Sequence, residues 1–131
     1  MKQLNKKPVL SKEDHTMLTG YLKSFPPKTT FDNDNATALQ GELKRAKLLK
    51  SSDMPANVVR LNSKVIIKED LGEKLIELVL VAPDQANIKE RKISVLAPIG
   101  TALIGFSQGQ QVNWQVPAGR KTFTILQVIN D

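Results

Sequence analysis

The chain has no cysteine and, in 131 residues, only one histidine, one tryptophan and one tyrosine. Without cysteine there are no disulfides, no thiolate metal sites and no thiol catalysis. His15 is the only histidine, so a histidine metal site or a Ser-His-Asp triad would have to be built around it. Its place on an expected N-terminal helix marks it instead as an ordinary surface or seam residue. No apolar run approaches the ~18 residues of a membrane span. Charged Lys12, Glu13 and Asp14 soon follow the basic start, so no signal peptide and a cytoplasmic location are expected. There is no Gly-x-x-x-x-Gly-Lys run, and the seven glycines are scattered as turn residues, so no phosphate loop exists. No cofactor is expected.

What is present is basic charge, unevenly placed. Residues 1–50 hold ten Lys/Arg against five Asp/Glu, and residues 51–131 hold nine against eight. Excess positive charge in the N-terminal part suits an anionic partner, either nucleic acid or an acidic protein surface, and equally serves solubility. The hydrophobic fraction of 40% is enough for a packed core.

Ser11 reads as an N-cap, with acids in the first turn after it. Leu18, Tyr21, Leu22 and Phe25 then share one helical face, and Pro26-Pro27 ends the helix. After a polar loop from Lys28 to Asn33, Asp34 or Asn35 is expected to cap a second helix. Ala36, Leu39, Leu43 and Ala46 form its narrow seam. The two helices should pair antiparallel, and arms of about 14 residues would reach only ~21 Å.

Beyond the connector Lys50–Pro55 the period changes from 3.6 to 2. Strands are expected at Ser63–Lys68, Lys74–Ala82, Lys92–Leu96, Val112–Val116 and Thr122–Ile129, the last with Thr124, Leu126 and Val128 on one face. Asp70–Glu73 and Pro117–Arg120 supply hairpin turns. Between the strands, Ile93 to Gly105 reads as a strand end, a corner marked by Pro98, and about two turns of apolar helix closed by Gly105. The expected class is α+β. Residues 1–50 would form a short helical hairpin, and residues 54–131 a twisted antiparallel sheet with one short helix.

Two polar groups raise the question of chemistry. Asp32 and Asp34 sit at the expected hairpin tip and could share a hard divalent cation if a partner supplied other ligands. Asp is equally at home in loops and N-caps, which is the simpler reading. Lys44, Arg45, Lys47 and Lys50 fall on the expected second helix, where they form a solvated face or meet phosphates. No aromatics interleave with them, which argues against a base-stacking platform. Phe31 at the tip is either a contact residue or folded back onto Phe25.

Several stretches resemble the Gre-factor family of bacterial transcription elongation factors. They are Met54–Val59, Leu61–Val65, Ile93–Gly105, then Gly109, Val112, Trp114 and Pro117–Gly119. Leu39–Ala46 is similar to the second arm helix of the short-armed branch of the family, that of the regulator of nucleoside diphosphate kinase. The resemblance implies an FKBP-like fold for residues 54–131 carrying an N-terminal antiparallel coiled coil. It also implies that the C-terminal part docks on core RNA polymerase at the rim of the secondary channel, with the arm pointing inward. The docking corner would comprise Ser94, Leu96, Ala97, Pro98 and Ile99, and the tip Phe31, Asp32 and Asp34. Gre factors carry an Asp-Ser-Pro-like corner, whereas here it is Leu96-Ala97-Pro98 and keeps only the proline. In Gre factors acids at the tip help hold a catalytic Mg²⁺ of the polymerase. Here the short first helix should leave the tip out of reach.

The expected function is therefore a monomeric, non-enzymatic regulator that binds RNA polymerase. The alternatives are a cleavage-stimulating factor using Asp32 and Asp34, or a nucleic-acid-binding module using Lys44, Arg45 and Lys47. The fold resemblance also raises prolyl isomerase activity, which is set aside because fold does not carry function.

Overall fold

A short strand opens the described chain and leads directly into a helix. The computed structural model describes residues 7–25, 28, 30–72, 74–116 and 119–130, with the backbone alone for 30–32 and 114–116. Strand β1 (Val9–Ser11) runs into helix α1 (Lys12–Ser24). The hydroxyl of Ser11 accepts from the backbone N–H of Asp14 at 3.0 Å, as an N-cap should. Glu13 and Asp14 place negative charge at the positive end of the helix dipole. The helix ends at Phe25, just before the two prolines, which themselves lie outside the described residues.

Helix α2 spans Thr30–Arg45 and so begins before the expected caps. Asp34 and Asn35 lie inside it, not at its mouth. No glycine or proline occurs between Lys28 and Asn33, so nothing local stops the helix from extending backward. Strand β2 (Lys47–Leu49) follows. Lys47, expected on the helix, is in this strand. Its N–H donates to the carbonyl of Pro8 at 2.8 Å, and β2 pairs parallel with β1. That tertiary pairing draws the backbone out of the helix.

The remaining strands are β3 (Lys64–Glu69), β4 (Leu75–Val81), β5 (Lys92–Ser94), β6 (Gln111–Val116) and β7 (Gly119–Ile129), with helix α3 (Pro98–Leu103) between β5 and β6. The sheet order is β5-β4-β3-β7-β6. Three neighbouring pairs are antiparallel, but β4 and β5 are parallel, so the sheet is mixed, not wholly antiparallel as expected. The segment after β4 carries 3-10 turns at Pro83–Gln85 and Ile88–Glu90. It is long enough to return the chain to the same end of the sheet.

The face of β7 also differs from expectation. Phe123 and Ile125 are buried, while Leu126 is 42% exposed. Ile66 pairs with Gln127 but Ile67 pairs with Ile125, so Leu126 is the extra residue of a β-bulge. A bulge shifts the alternation by one, which is how Val128 also comes to face inward.

Helices and sheet share one core. Leu10, Leu18, Leu39 and Leu43 from the first part join Val59, Ile67, Leu80, Val95, Leu103, Phe106 and Phe123 in a single cluster. The α1–α2 pair is antiparallel, with the Nε2 of His15 3.1 Å from the carbonyl oxygen of Leu43. His15 is thus a cross-link between helices. Most of the hairpin is packed down on the sheet domain by the apolar seam that also pairs the helices.

Candidate functional site

The corner between β5 and α3 is built by bonds between near neighbours. The hydroxyl of Ser94 accepts from the N–H of Leu96 at 3.0 Å, and its carbonyl accepts from the N–H of Ala97, also at 3.0 Å. This turn aims the chain into α3, where Pro98 occupies the start of the helix and forfeits no hydrogen bond. Gly100 is required because a Cβ there would stand 2.3 Å from the carbonyl oxygen of Ser94 and 2.9 Å from the Cα of Val95. Its bare Cα lets the helix lie flush against the corner. At the far end Gly105 has φ +85°, and its carbonyl accepts from the N–H of Val9 at 2.8 Å, so the N-terminal strand is tied to the helix.

The corner presents Ser94, Leu96, Ala97 and Pro98 half-buried, with Ile99 turned into the core at 7% exposure. Ile99 also lines a cleft of about 400 Å³, together with Ile67, Leu75, Ile76, Ile88 and Ile93. Leu75 and Ile88 are open to solvent at its rim. Glu77 on the same rim pairs with the Nζ of Lys64 at 2.5 Å. That hydrogen bond, with the lysine charge, holds the carboxyl below its ordinary value.

Helix α2 meets the corner through Asn35. The Nδ2 of Asn35 donates to the carbonyl of Leu96 at 2.6 Å and to the hydroxyl of Thr101 at 3.2 Å. The buried Thr101 hydroxyl in turn donates to the carbonyl of Val95 at 3.2 Å. The sequence marks Asn35 as a helix cap beside the tip acids and gives Thr101 no role. The spacing of Asn35, Leu39 and Leu43, four residues apart, is the signal in the sequence that Asn35 continues the buried stripe.

A second junction lies at the base of the hairpin. Asp14 is buried, and its Oδ2 accepts from the N–H of Leu61 at 3.4 Å with the Nε of Arg60 3.8 Å away. Burial raises its pKa, and the bond from Leu61 and the guanidinium of Arg60 only partly offset this. Neighbouring Glu13 is exposed and accepts from the hydroxyl of Ser51 at 2.9 Å. Its own backbone N–H, then Ser51, hold it below the ordinary value.

The other candidate residues are not gathered into a site. Phe31 and Asp32 fall in the first turn of α2, and their side chains lie outside the described residues. Asp34 is exposed. Among the described residues no group of three or more His, Cys, Asp or Glu is placed to hold a metal ion. Lys44 is exposed near the end of α2, Arg45 pairs with Glu42 at 3.2 Å, and Lys47 is exposed on β2. The basic residues therefore come from two elements, not one helix face. Among the described residues no helix is long and apolar enough to cross a membrane.

Residues 54–130 match the family model described as the transcription elongation factor GreA/GreB C-terminal domain. The chain belongs to the GreA/GreB family. A relative from Escherichia coli strain K12 named "Regulator of nucleoside diphosphate kinase" is 34% identical over 87 residues, covering 66% of this chain and 64% of the relative. The transcription elongation factor GreA of Thermodesulfovibrio yellowstonii is 35% identical over 101 residues, 77% of this chain and again 64% of the relative. The matched stretch thus falls just short of two thirds of each relative's length. A solved GreA/GreB transcription elongation factor from Nitrosomonas europaea superposes with a TM-score of 0.76 at 29% identity, covering 96% of this chain and all of the other. The GreA/GreB match begins at Met54, so the corner falls inside the family domain and Asn35 outside it.

Proposed function

We propose that this chain is an RNA polymerase-binding regulator of transcription elongation. It docks through Ser94, Leu96, Ala97, Pro98 and Ile99 at the rim of the secondary channel and supplies no chemistry of its own. Membership of the GreA/GreB family supports the partner. One observation carries the rest: Asn35 is held at the docking corner, and α2 continues past it only to Thr30. At 1.5 Å per residue that leaves about 8 Å of helix beyond the corner. A tip so close to the docking surface keeps Asp32 and Asp34 far from a metal at the end of a long channel. The hairpin occupies the channel mouth instead.

Equilibrium binding to core RNA polymerase, with a full-length Gre factor as competitor, tests the reading. Mutually exclusive binding is expected. Pro98→Asp should weaken binding about tenfold or more, roughly 1.4 kcal/mol, by putting a charge into an apolar contact while the domain stays folded. Competitor-independent binding would reject the shared site. RNA cleavage in a backtracked complex that depends on Asp32 and Asp34 would reject the absence of chemistry.

A further inference from the structure

We infer that Asn35 is a register lock, joining the hairpin to the docking corner so that tip and corner move as one body. What the lock does for a partner rests on the polymerase reading above. The lock itself is a property of this chain alone.

Asn35, Leu39 and Leu43 form one stripe of α2. Residues four apart lie one above another on a helix. Leu39 and Leu43 are buried, at 0% and 8% exposure, in the core that also holds Leu103 and Ile99. Apolar contacts of this kind are non-directional. The C-terminal end of α2 is already fixed by His15 on the Leu43 carbonyl and by the β1–β2 pairing. Its N-terminal half, held by apolar contacts such as that of Leu39, could still swing or rotate about that end and bury most of its stripe.

Asn35 removes that freedom. Its side chain is half-buried at the end of the stripe, and one nitrogen reaches both the Leu96 carbonyl and the Thr101 hydroxyl. Both acceptors are themselves held. Leu96 sits in the Ser94 turn, and Thr101 is anchored to Val95. Hydrogen bonds are short-ranged and directional, so this pair is satisfied in one register only. Polar residues within apolar seams are known to specify register at some cost in stability. Asn35 has that position here, and the surface it specifies is the corner offered to the partner.

The bonds to Leu96 and Thr101 also change what the corner can offer. The N–H groups of Leu96 and Ala97 bond to Ser94, and Asn35 takes the Leu96 carbonyl. The outward face is then the apolar surface of Leu96, Ala97 and Pro98. A partner that docks there meets an apolar patch with the hairpin tip at a set offset.

The absence of cysteine permits the test. Lys28→Cys at the tip and Asp84→Cys on the sheet domain, both exposed positions, are spin-labelled and their separation measured by pulsed dipolar spectroscopy. The otherwise unaltered chain should give one narrow distance distribution. Asn35→Leu, which keeps the apolar stripe but removes the donor, should broaden or shift it while circular dichroism and the thermal transition remain those of a folded protein. Thr101→Val removes one acceptor and should give a smaller broadening, which provides a reading if Asn35→Leu does not fold. A narrow, unshifted distribution in folded Asn35→Leu, or in Thr101→Val should that be the only folded variant, overturns the lock.

With polymerase, a photo-crosslinker at Lys28→Cys should spread from one polymerase site in the parent to several in Asn35→Leu. A crosslink that stays at one site overturns the partner half of the inference. If the parent fails to bind polymerase at all, the functional reading falls, and the distance measurement still decides the lock.

Discussion

The corner and the hairpin are held by different kinds of force. At the corner nearly every contact is local. Ser94 bonds to residues two and three ahead, Pro98 starts the helix, and Gly100 removes a Cβ that would strike the Ser94 carbonyl. The hairpin depends on distant partners: Asn35 on Leu96, Asp14 on Leu61 and Arg60, Lys47 on Pro8. The proposed docking surface is therefore nearly complete in sequence order, while the element it carries is assembled by tertiary contact. A change at the corner should damage binding first, and a change in the hairpin should damage stability or placement.

The strongest way to break this contrast is Leu39→Ala. Leu39 is fully buried between helix and sheet domain, and deleting such a side chain costs about 2–5 kcal/mol. Urea unfolding followed at Trp114 and by helical dichroism should show one transition, moved to lower denaturant. Two transitions, with the tryptophan signal unshifted, would mean that the hairpin unfolds alone.

Gly100→Ala should have the next largest effect, about 1–3 kcal/mol from overpacking against backbone that cannot move aside. It should also lower polymerase affinity, because α3 would be pushed off the corner. Unchanged affinity in the folded variant would separate the helix seat from the docking surface.

Asp14→Asn is the smallest and the most diagnostic. Burial raises the folded-state pKa of Asp14 above its unfolded value. The folded protein therefore binds the proton more readily, and this residue's contribution to stability falls as pH rises from about 4 through the folded value. Above that range it is level. The amide of the variant keeps an acceptor for the N–H of Leu61 and does not titrate. The stability difference, parent minus variant, should decline over that window and then flatten. Glu13 and Glu77, whose pKa values are lowered, act in the opposite sense, gaining stability as pH rises. Glu77 cancels in the difference, while the charge of Glu13 is itself one of the smaller causes that raise Asp14. A difference that does not vary with pH would remove the buried carboxylate from the account.

Much of the fold is legible in the sequence. The five strands of the main sheet and the short helix follow from alternation and from Gly and Pro, because each is governed by residues a few positions apart. Strands β1 and β2, which pair residues nearly forty apart, do not, and Glu73, Pro117 and Ala118 of the expected turns lie outside the described residues. What differs from expectation depends on remote partners. The start of α2 has no local stop signal, so its position is not given by cap residues. Lys47 reads as helical because nothing near it reveals Pro8 as a hydrogen-bond partner. The bulge at Leu126 reverses a face that strict alternation assigns, and it arises only from pairing with β3. The parallel β4–β5 pair depends on the path of a crossover, which hydrophobic pattern does not encode. Among the site residues, the corner follows from its motif and resemblance. Asn35 reads as a cap beside the tip acids and not as a tie to the corner, since the acceptors that occupy it lie more than sixty residues away.

By itself, then, the sequence determined the class, the succession of the main-sheet strands with their short helix, and the shape of the corner, because alternation and backbone restriction by proline and glycine act within a few residues. The tertiary structure decided the extent of α2, the side of β7 that is buried and the placement of Asn35 against the corner. Those depend on which of several nearly equivalent registers satisfies the most buried groups, and the groups that decide are brought together only when the chain folds.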